Sequence, residues 1–360
     1  LDPPRPLRAQ QCVELLRSRL RFRAAGAAGA RLALASQKGR LGPMEQWFSV
    51  SDRPSDFAAS AVTIGKFDGV HLGHQQLLTE VLDASEEHGL AAICLTFDRN
   101  PAELIAGEVK LGAITGPTQK AELLEQHGMD ALLTLRFDEA LAEMSAEDFI
   151  TEILVQGLAA RVVVVGQGFH FGRGGTGDAH LLRLMGFEHG FTVREVPTAQ
   201  LDGRPISSTA IRELLDQGDV VAANRMLGRN HVVRGVIEHG KKLGRTIGFP
   251  TANMSRSAEG YLPLDAVYAG RLSVVGAGSE LQNLPAALSV GINETFEAVP
   301  RVLEAYVLDR TDLDLYELEV EMEFIEMVRP TRKFDSVETL IEAIKSDVAQ
   351  IKSVLANPTA

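Results

Sequence analysis

The chain has 360 residues, 45% of them apolar and 23% charged, with a formal net charge of −12 and a pI near 5.3. That length accommodates about two domains, each with its own core, and the acidic balance argues against a general polyanion binder, which needs clustered Lys and Arg. Only Cys12 and Cys94 are present, too few and too far apart for a disulfide framework or a thiolate zinc site, and no run reaches the roughly 18 apolar residues of a membrane span. The expected setting is the cytoplasm, with neither nucleic acid nor membrane as partner.

Residues 1–43 differ from the rest. They carry nine Arg or Lys against Asp2 and Glu14, with runs such as AAGAAGA. An organellar transit peptide would be Arg-rich and acid-poor in this way, but it would also be rich in serine, and only Ser18 and Ser36 occur. The expectation is that folding begins at Met44 and that 1–43 is a loosely ordered extension or a gene-boundary artefact.

From Met44 to about Val196, strand-like and helix-like runs alternate. AVTI (61–64), AAICLTF (91–97), ALLTLRF (131–137) and RVVVVG (161–166) are short and apolar, as buried central strands are. Between them, HQQLLTEVLDASEEHG, PTQKAELLEQHG and SAEDFITEILVQG space their apolar residues by three and four and end in glycine, predicting helices. Such alternation implies a parallel sheet covered by helices, with ligands beyond the strands' carboxyl ends.

The first strand runs into TIGKFDGVHLGHQQLL (63–78). Gly65, Phe67 and Asp68 form a turn, and a helix starts near His71 to Gly73. A helix N-terminus is an anion site, and His71 and His74, three apart, project from one side of its first turn. Their donors suit the charge that develops when a nucleotide α-phosphate is attacked and pyrophosphate leaves. The plainer readings are a metal pair or two surface histidines, and no third ligand stands at a suggestive spacing. Further on, ISSTAIRELL (206–215) offers Ser207, Ser208 and Thr209 at a helix start with Arg212 in the first turns. That set suits pyrophosphate, although Ser/Thr before an amphipathic helix is mostly plain capping.

After about Arg229 the rhythm changes. HVVRGVIEHG, VYAGRLSVVG, AALSVGI, RVLEAYVLDR and LYELEVEMEFIEMV alternate apolar with polar residues, as the strands of a small antiparallel barrel do. In GKKLGRTIGFPTANM, Gly240, Gly244 and Gly248 permit backbone to approach phosphate, without the Walker spacing. Thr251 and Asn253 on one extended segment give two neutral oxygens suited to Mg²⁺, or simply a Pro-Thr turn and a loop-bonding Asn. Val302, Glu304, Tyr306 and Leu308 share a strand face, where Glu304 could merely mark the barrel rim. Glu317 to Glu326 read as the wet face of a strand. SVETLIEAIKSDVAQIKSVL closes the chain as an amphipathic helix begun by Ser336.

Taken together, TIGKFDGVHLGHQQLL, ISSTAIRELL, GKKLGRTIGFPTANM and RVLEAYVLD resemble, in family order, the bacterial bifunctional riboflavin kinase/FMN adenylyltransferases, or FAD synthetases, over Met44 to Leu355. The resemblance implies an α/β plus all-β chain. A Rossmann-like nucleotidyltransferase domain (44–229) would join FMN and ATP into FAD, and a riboflavin kinase barrel (230–360) would make FMN from riboflavin. It also implies ATP and Mg²⁺ at both sites, Thr251 and Asn253 as metal ligands, and Gly244 and Arg245 at the kinase nucleotide. Glu304 would be the general base, and Arg329, in VRPTRKFDS, a flavin contact. Two positions depart from the pattern: Asn100, in TFDRNPAEL, stands where a histidine is usual, and Gly168, in VGQGFHFG, where Asn or Asp is usual. The competing readings are a cytidylyltransferase-like single enzyme, a riboflavin kinase with an attenuated second site, and a flavin-binding module without turnover.

Overall fold

The computed structural model describes residues 43–99, 112–240, 247–291 and 301–356. The expectations for residues 1–43 (apart from Pro43), for Asn100, and for Gly244 and Arg245 lie outside the described residues. The described residues form two compact units, one ending at Ile206 and the other beginning at Ser207, with 112–119 grouping with the second.

The first unit is a six-stranded, all-parallel sheet of β1 (Glu45–Trp47), β2 (Ser60–Ile64), β3 (Ala91–Phe97), β4 (Ala131–Leu135), β5 (Ala160–Gly166) and β6 (Thr192–Val196), in the order β1-β4-β3-β2-β5-β6. Its central strands are apolar on both faces because both are covered. Val62, Ile64, Ile93, Leu95, Val163 and Val165 join one core, with Phe149, Ile150, Leu154 and Leu182 from helices. The alternate residues Ala61, Ala92, Cys94, Val162 and Val164 join the other, with Leu78 and Val81 of α1 (Leu72–His88) and Leu124 of α2 (Pro117–Gln126). Arg194 on β6 bonds Glu80 at 3.0 Å and Glu87 at 2.6 Å, fastening α1 to the sheet.

Two elements differ from expectation. The helix predicted over 145–157 is a short α-turn followed by a π-helix, Phe149–Gly157, and its wider turn sets Phe149, Ile150, Ile153 and Leu154 on the sheet. A further helix, α3 (Ala179–His189), precedes β6; neither was anticipated.

After a small hairpin of β7 (Gln200–Leu201) and β8 (Arg204–Pro205), the second unit opens with α4 (Ser208–Asp216) and α5 (Val220–Leu227). These helices are why the compact units divide at 206/207 and not where the strand rhythm begins, near 229/230. Leu215 O accepts the Leu264 N–H at 2.8 Å, and Asn224 donates to Phe324 O at 2.9 Å while accepting the His231 N–H at 2.7 Å. The barrel is closed and antiparallel, comprising β9 (His231–Glu238), β10 (Ala252–Met254), β11 (Ala266–Val274), β12 (Leu284–Gly291), β13 (Val302–Val307) and β14 (Glu319–Pro330) in the order β10-β13-β12-β11-β14-β9. Tyr268, Leu272, Leu288, Met322 and Phe324 are wholly buried in this unit. The terminal helix α6 (Val337–Ala356) packs Ile351 and Val348 against Ala269, Tyr306 and Leu308.

Candidate active sites

The first site forms where β2 leaves its sheet. Strand order progresses away from β2 through β3 and β4, then resumes on its other side with β5 and β6. The loops after β2 and β5 therefore flank the switch-point crevice in which such sheets bind ligands. The chain leaves β2 through unusual backbone, with φ of 49° at Phe67, 82° at Gly69 and 39° at Val70. For a bulky aromatic and a β-branched residue this costs on the order of 1–3 kcal/mol each, so surrounding structure must over-determine it. Phe67 and Val70 are wholly buried in the core that α1 shares. Gln75 Nε2 donates to Val70 O at 2.9 Å, while Thr96 Oγ1 and Lys120 Nζ each donate to Lys66 O at 3.2 Å. Gly65 N–H donates to Leu95 O at 3.0 Å.

That turn delivers the chain into α1 with His71 as its N-cap, where Ser, Thr, Asp or Asn would be usual. His71 Nδ1 accepts the His74 backbone N–H at 3.3 Å. A neutral imidazole used in this way carries its proton on Nε2, which becomes a donor. The two rings stack with centroids 3.6 Å apart and planes 15° apart, and Phe67 lies 5.1 Å from the His74 ring. The two imidazoles are thus brought together at a helix terminus. Among the described residues no three His, Cys, Asp or Glu side chains gather as a metal site. Asp68, in the same turn, acts electrostatically on Lys120: burial pushes that ammonium below the ordinary lysine range, and the Asp68 carboxylate opposes the shift.

Across the crevice, Gly168 follows β5 with φ of 74°, and no atom lies within 4 Å of where a Cβ would stand. Asn is among the few residues that tolerate this backbone region. In the second unit, Ser207 caps α4 by accepting the Ala210 N–H at 3.1 Å. Ser208 is half-buried and Thr209 exposed in its first turn, and Arg212 Nε donates to Gly112 O at 3.0 Å.

The second site is built from side chains on neighbouring barrel strands. Asn253 on β10 and Ser289 on β12 are both in register with Glu304 on β13. Leu303, Ala305 and Val307 are buried, whereas Val302, Glu304 and Tyr306 are half-buried on the opposite strand face, the alternation read from sequence. Thr251 Oγ1 donates to Glu304 Oε2 at 3.0 Å, and Asn253 Nδ2 donates to Thr251 O at 3.4 Å. Thr251, Asn253 and Glu304 thus form one cluster. Gly240 borders it so closely that a Cβ there would stand 2.5 Å from Asn253 Cγ. A cavity of about 50 Å³, lined by Ile237, Pro250, Thr251, Leu313, Leu315 and Tyr316 among others, adjoins it.

A family model described as FAD synthetase matches residues 53–210, and one described as riboflavin kinase matches 227–355. The bifunctional riboflavin kinase/FMN adenylyltransferase of Escherichia coli (strain K12) is 34% identical over 286 residues, spanning 79% of this chain and 90% of that protein. The protein of the same name from Pseudomonas fluorescens is 35% identical over 299 residues, spanning 83% and 93%. The chain belongs to this bifunctional family. A solved structure from Streptococcus pneumoniae, described as a macrolide-efflux protein, matches with a TM-score of 0.76 and 28% identity over 88% of this chain and 100% of that one. No described helix here is long and apolar enough to cross a membrane.

Within the family frame two features of the sites are informative. Arg329, expected at the flavin, donates through Nε at 2.9 Å and Nη2 at 2.8 Å to Asp347 of α6, through Nη1 to Pro330 O, and lies 5.5 Å over Phe334. A flavin role for Arg329 competes with these bonds. Lys120 and Gln75, in contrast, were read only as helix residues. One signal for Lys120 was available: a cation in the opening turns of α2 runs against the helix dipole and asks for a reason.

Proposed function

We propose that the chain converts riboflavin to FMN in the barrel unit and FMN to FAD in the parallel-sheet unit, using ATP for both steps and working in the cytoplasm. The observation that carries the kinase half is the cluster of Thr251, just before β10, with Asn253 on β10 and Glu304 on β13. Thr251 occupies Glu304 Oε2, so Oε1 receives the proton of the riboflavin 5′-hydroxyl as its oxygen attacks the γ-phosphorus and ADP leaves. The donor set, a hydroxyl, an amide oxygen and a nearby carboxylate, fits a hard cation. Mg²⁺ held by Thr251 and Asn253 would neutralise charge on the nucleotide phosphates. Gly244 and Arg245 are assigned to the nucleotide phosphates on the family resemblance alone. Arg329 acts chiefly by docking α6, and only secondarily on flavin.

In the other unit, an FMN phosphate oxygen attacks the ATP α-phosphorus and pyrophosphate leaves. Gly65, Phe67 and Asp68 shape the turn, while His71 Nε2 and His74 donate to the phosphate oxygens on which charge develops. Ser208, Thr209 and Arg212, at the start of α4 in the second unit, are the groups assigned to the pyrophosphate. A chain with a slower second step is favoured by Gly168, which offers no side chain at the crevice. Both family matches weigh against a kinase-only or non-catalytic chain.

The test is incubation of the protein with riboflavin, ATP and Mg²⁺, separating products by chromatography over time. FMN is expected first and FAD after it. Absence of FMN would sink the kinase assignment, and absence of FAD from supplied FMN would sink the other.

A further inference from the structure

We propose that Lys120 is a positioning residue for adenylyl transfer, its ammonium bracing the Gly65–Val70 turn from below so that the N-terminus of α1 and its two histidines are held at the attacked phosphate. This rests on the adenylyltransferase reading of the parallel-sheet unit and assigns a part to a residue that acts through the turn and not on phosphate.

Three observations converge on Lys120. Its Nζ donates to Lys66 O at 3.2 Å, and the same carbonyl accepts Thr96 Oγ1 at 3.2 Å, so the residue at the centre of the turn is tied to α2 and to β3 at once. The backbone that follows is the part that side-chain sterics disfavour, with φ of 49° at Phe67 and 39° at Val70. Such a conformation persists only where neighbours impose it. Finally, burial lowers the proton affinity of the ammonium, and the Asp68 carboxylate of the turn acts on it electrostatically in the opposite sense. A lysine drawn into such surroundings has a cost that a solvated position on α2 would not carry.

The alternative is a lysine that merely stabilises the fold, and the two readings separate in kinetics. Bracing the turn places donors where transition-state charge appears, so its loss should fall on turnover and not on uniform substrate binding. Misplacement of catalytic groups by about 1 Å can cost about 10²-fold in rate.

The experiment compares Lys120→Met and Lys120→Arg with the native full-length chain, measuring FAD formation from FMN and ATP, riboflavin phosphorylation by the same preparation, and melting temperature. The expected result for Lys120→Met is a fall in kcat for FAD formation of about tenfold or more, with KM for FMN within about twofold and riboflavin phosphorylation unchanged. Lys120→Arg, which keeps a cation and donors, should recover FAD formation to within about threefold of native. Native-like FAD formation by Lys120→Met overturns the proposal. So does a joint fall in FAD formation and melting temperature that Lys120→Arg leaves uncorrected. A native chain that makes no FAD refutes the underlying reading instead, so the two failures are distinguishable.

Discussion

In the parallel-sheet unit, the histidines proposed to meet phosphate stand on backbone leaving a strand for a helix; in the barrel, Asn253 and the proposed base Glu304 stand within strands. The first arrangement depends on a turn with two disfavoured φ values and on supports from β3, α1 and α2. The second depends on the register of β10, β12 and β13, which the barrel ladder fixes without special backbone. The difference suits the chemistry assigned to each. A nucleophilic hydroxyl needs one carboxylate at one place, whereas an α-phosphate under attack needs several donors converging from a helix end. Function should therefore be concentrated in one side chain in the barrel and spread over a supported turn in the sheet unit.

The sharpest way to break this contrast is Glu304→Gln. It should lower FMN formation by about 10²-fold or more, while FAD formation from supplied FMN persists. Equal loss of both activities would mean that the two sites are not independent.

Next in size is an effect of pH on stability. His231, 1% exposed on β9, donates to Tyr261 O at 2.6 Å, and burial pushes its pKa down to about 4. Its folded value lies below the free value of about 6.5, so its contribution is fully present above that pH and is lost as pH falls toward the folded value. By pH 5 the loss amounts to about 2 kcal/mol. Melting of the native chain between pH 7 and pH 5 should be steeper than that of His231→Gln, which retains a donor for Tyr261 O but does not titrate. Parallel pH dependences would remove His231 from the account.

The smallest effect is expected at the crevice opposite the histidines. Gly168→Asn places an amide where backbone and space both permit one, and single-turnover FAD formation should rise about tenfold if one hydrogen bond is restored. No gain in rate or in FMN affinity would make the glycine neutral.

Much of this organisation was legible in the sequence, and for identifiable reasons. Buried strands such as RVVVVG announce themselves because both faces are apolar, and the α1 N-terminus because glycines and two histidines crowd that boundary. Thr251, Asn253 and Glu304 were singled out by the family resemblance, because alone the first two also fit a Pro-Thr turn with a loop-bonding Asn and Glu304 the barrel rim. By contrast, β6 is TVREV, half-covered and carrying charges that bond α1 and α3, so it lacks the apolar signature. β1 and β10 have three residues each, too few for a period to show. The π-helix escaped because its apolar spacing also fits an α-helix. Lys120 escaped because a carbonyl 54 positions earlier in the chain defines its role.

The burial of Cys94 in mid-strand at the centre of the sheet has a practical corollary. Burial raises its thiol pKa, which keeps it protonated and poorly nucleophilic, and no solvent reaches it in the native state. In a variant with Cys12 replaced by serine, Cys94 becomes the sole thiol. Its alkylation rate then serves as a clock for opening of the parallel sheet, independent of any substrate and blind to events in the barrel.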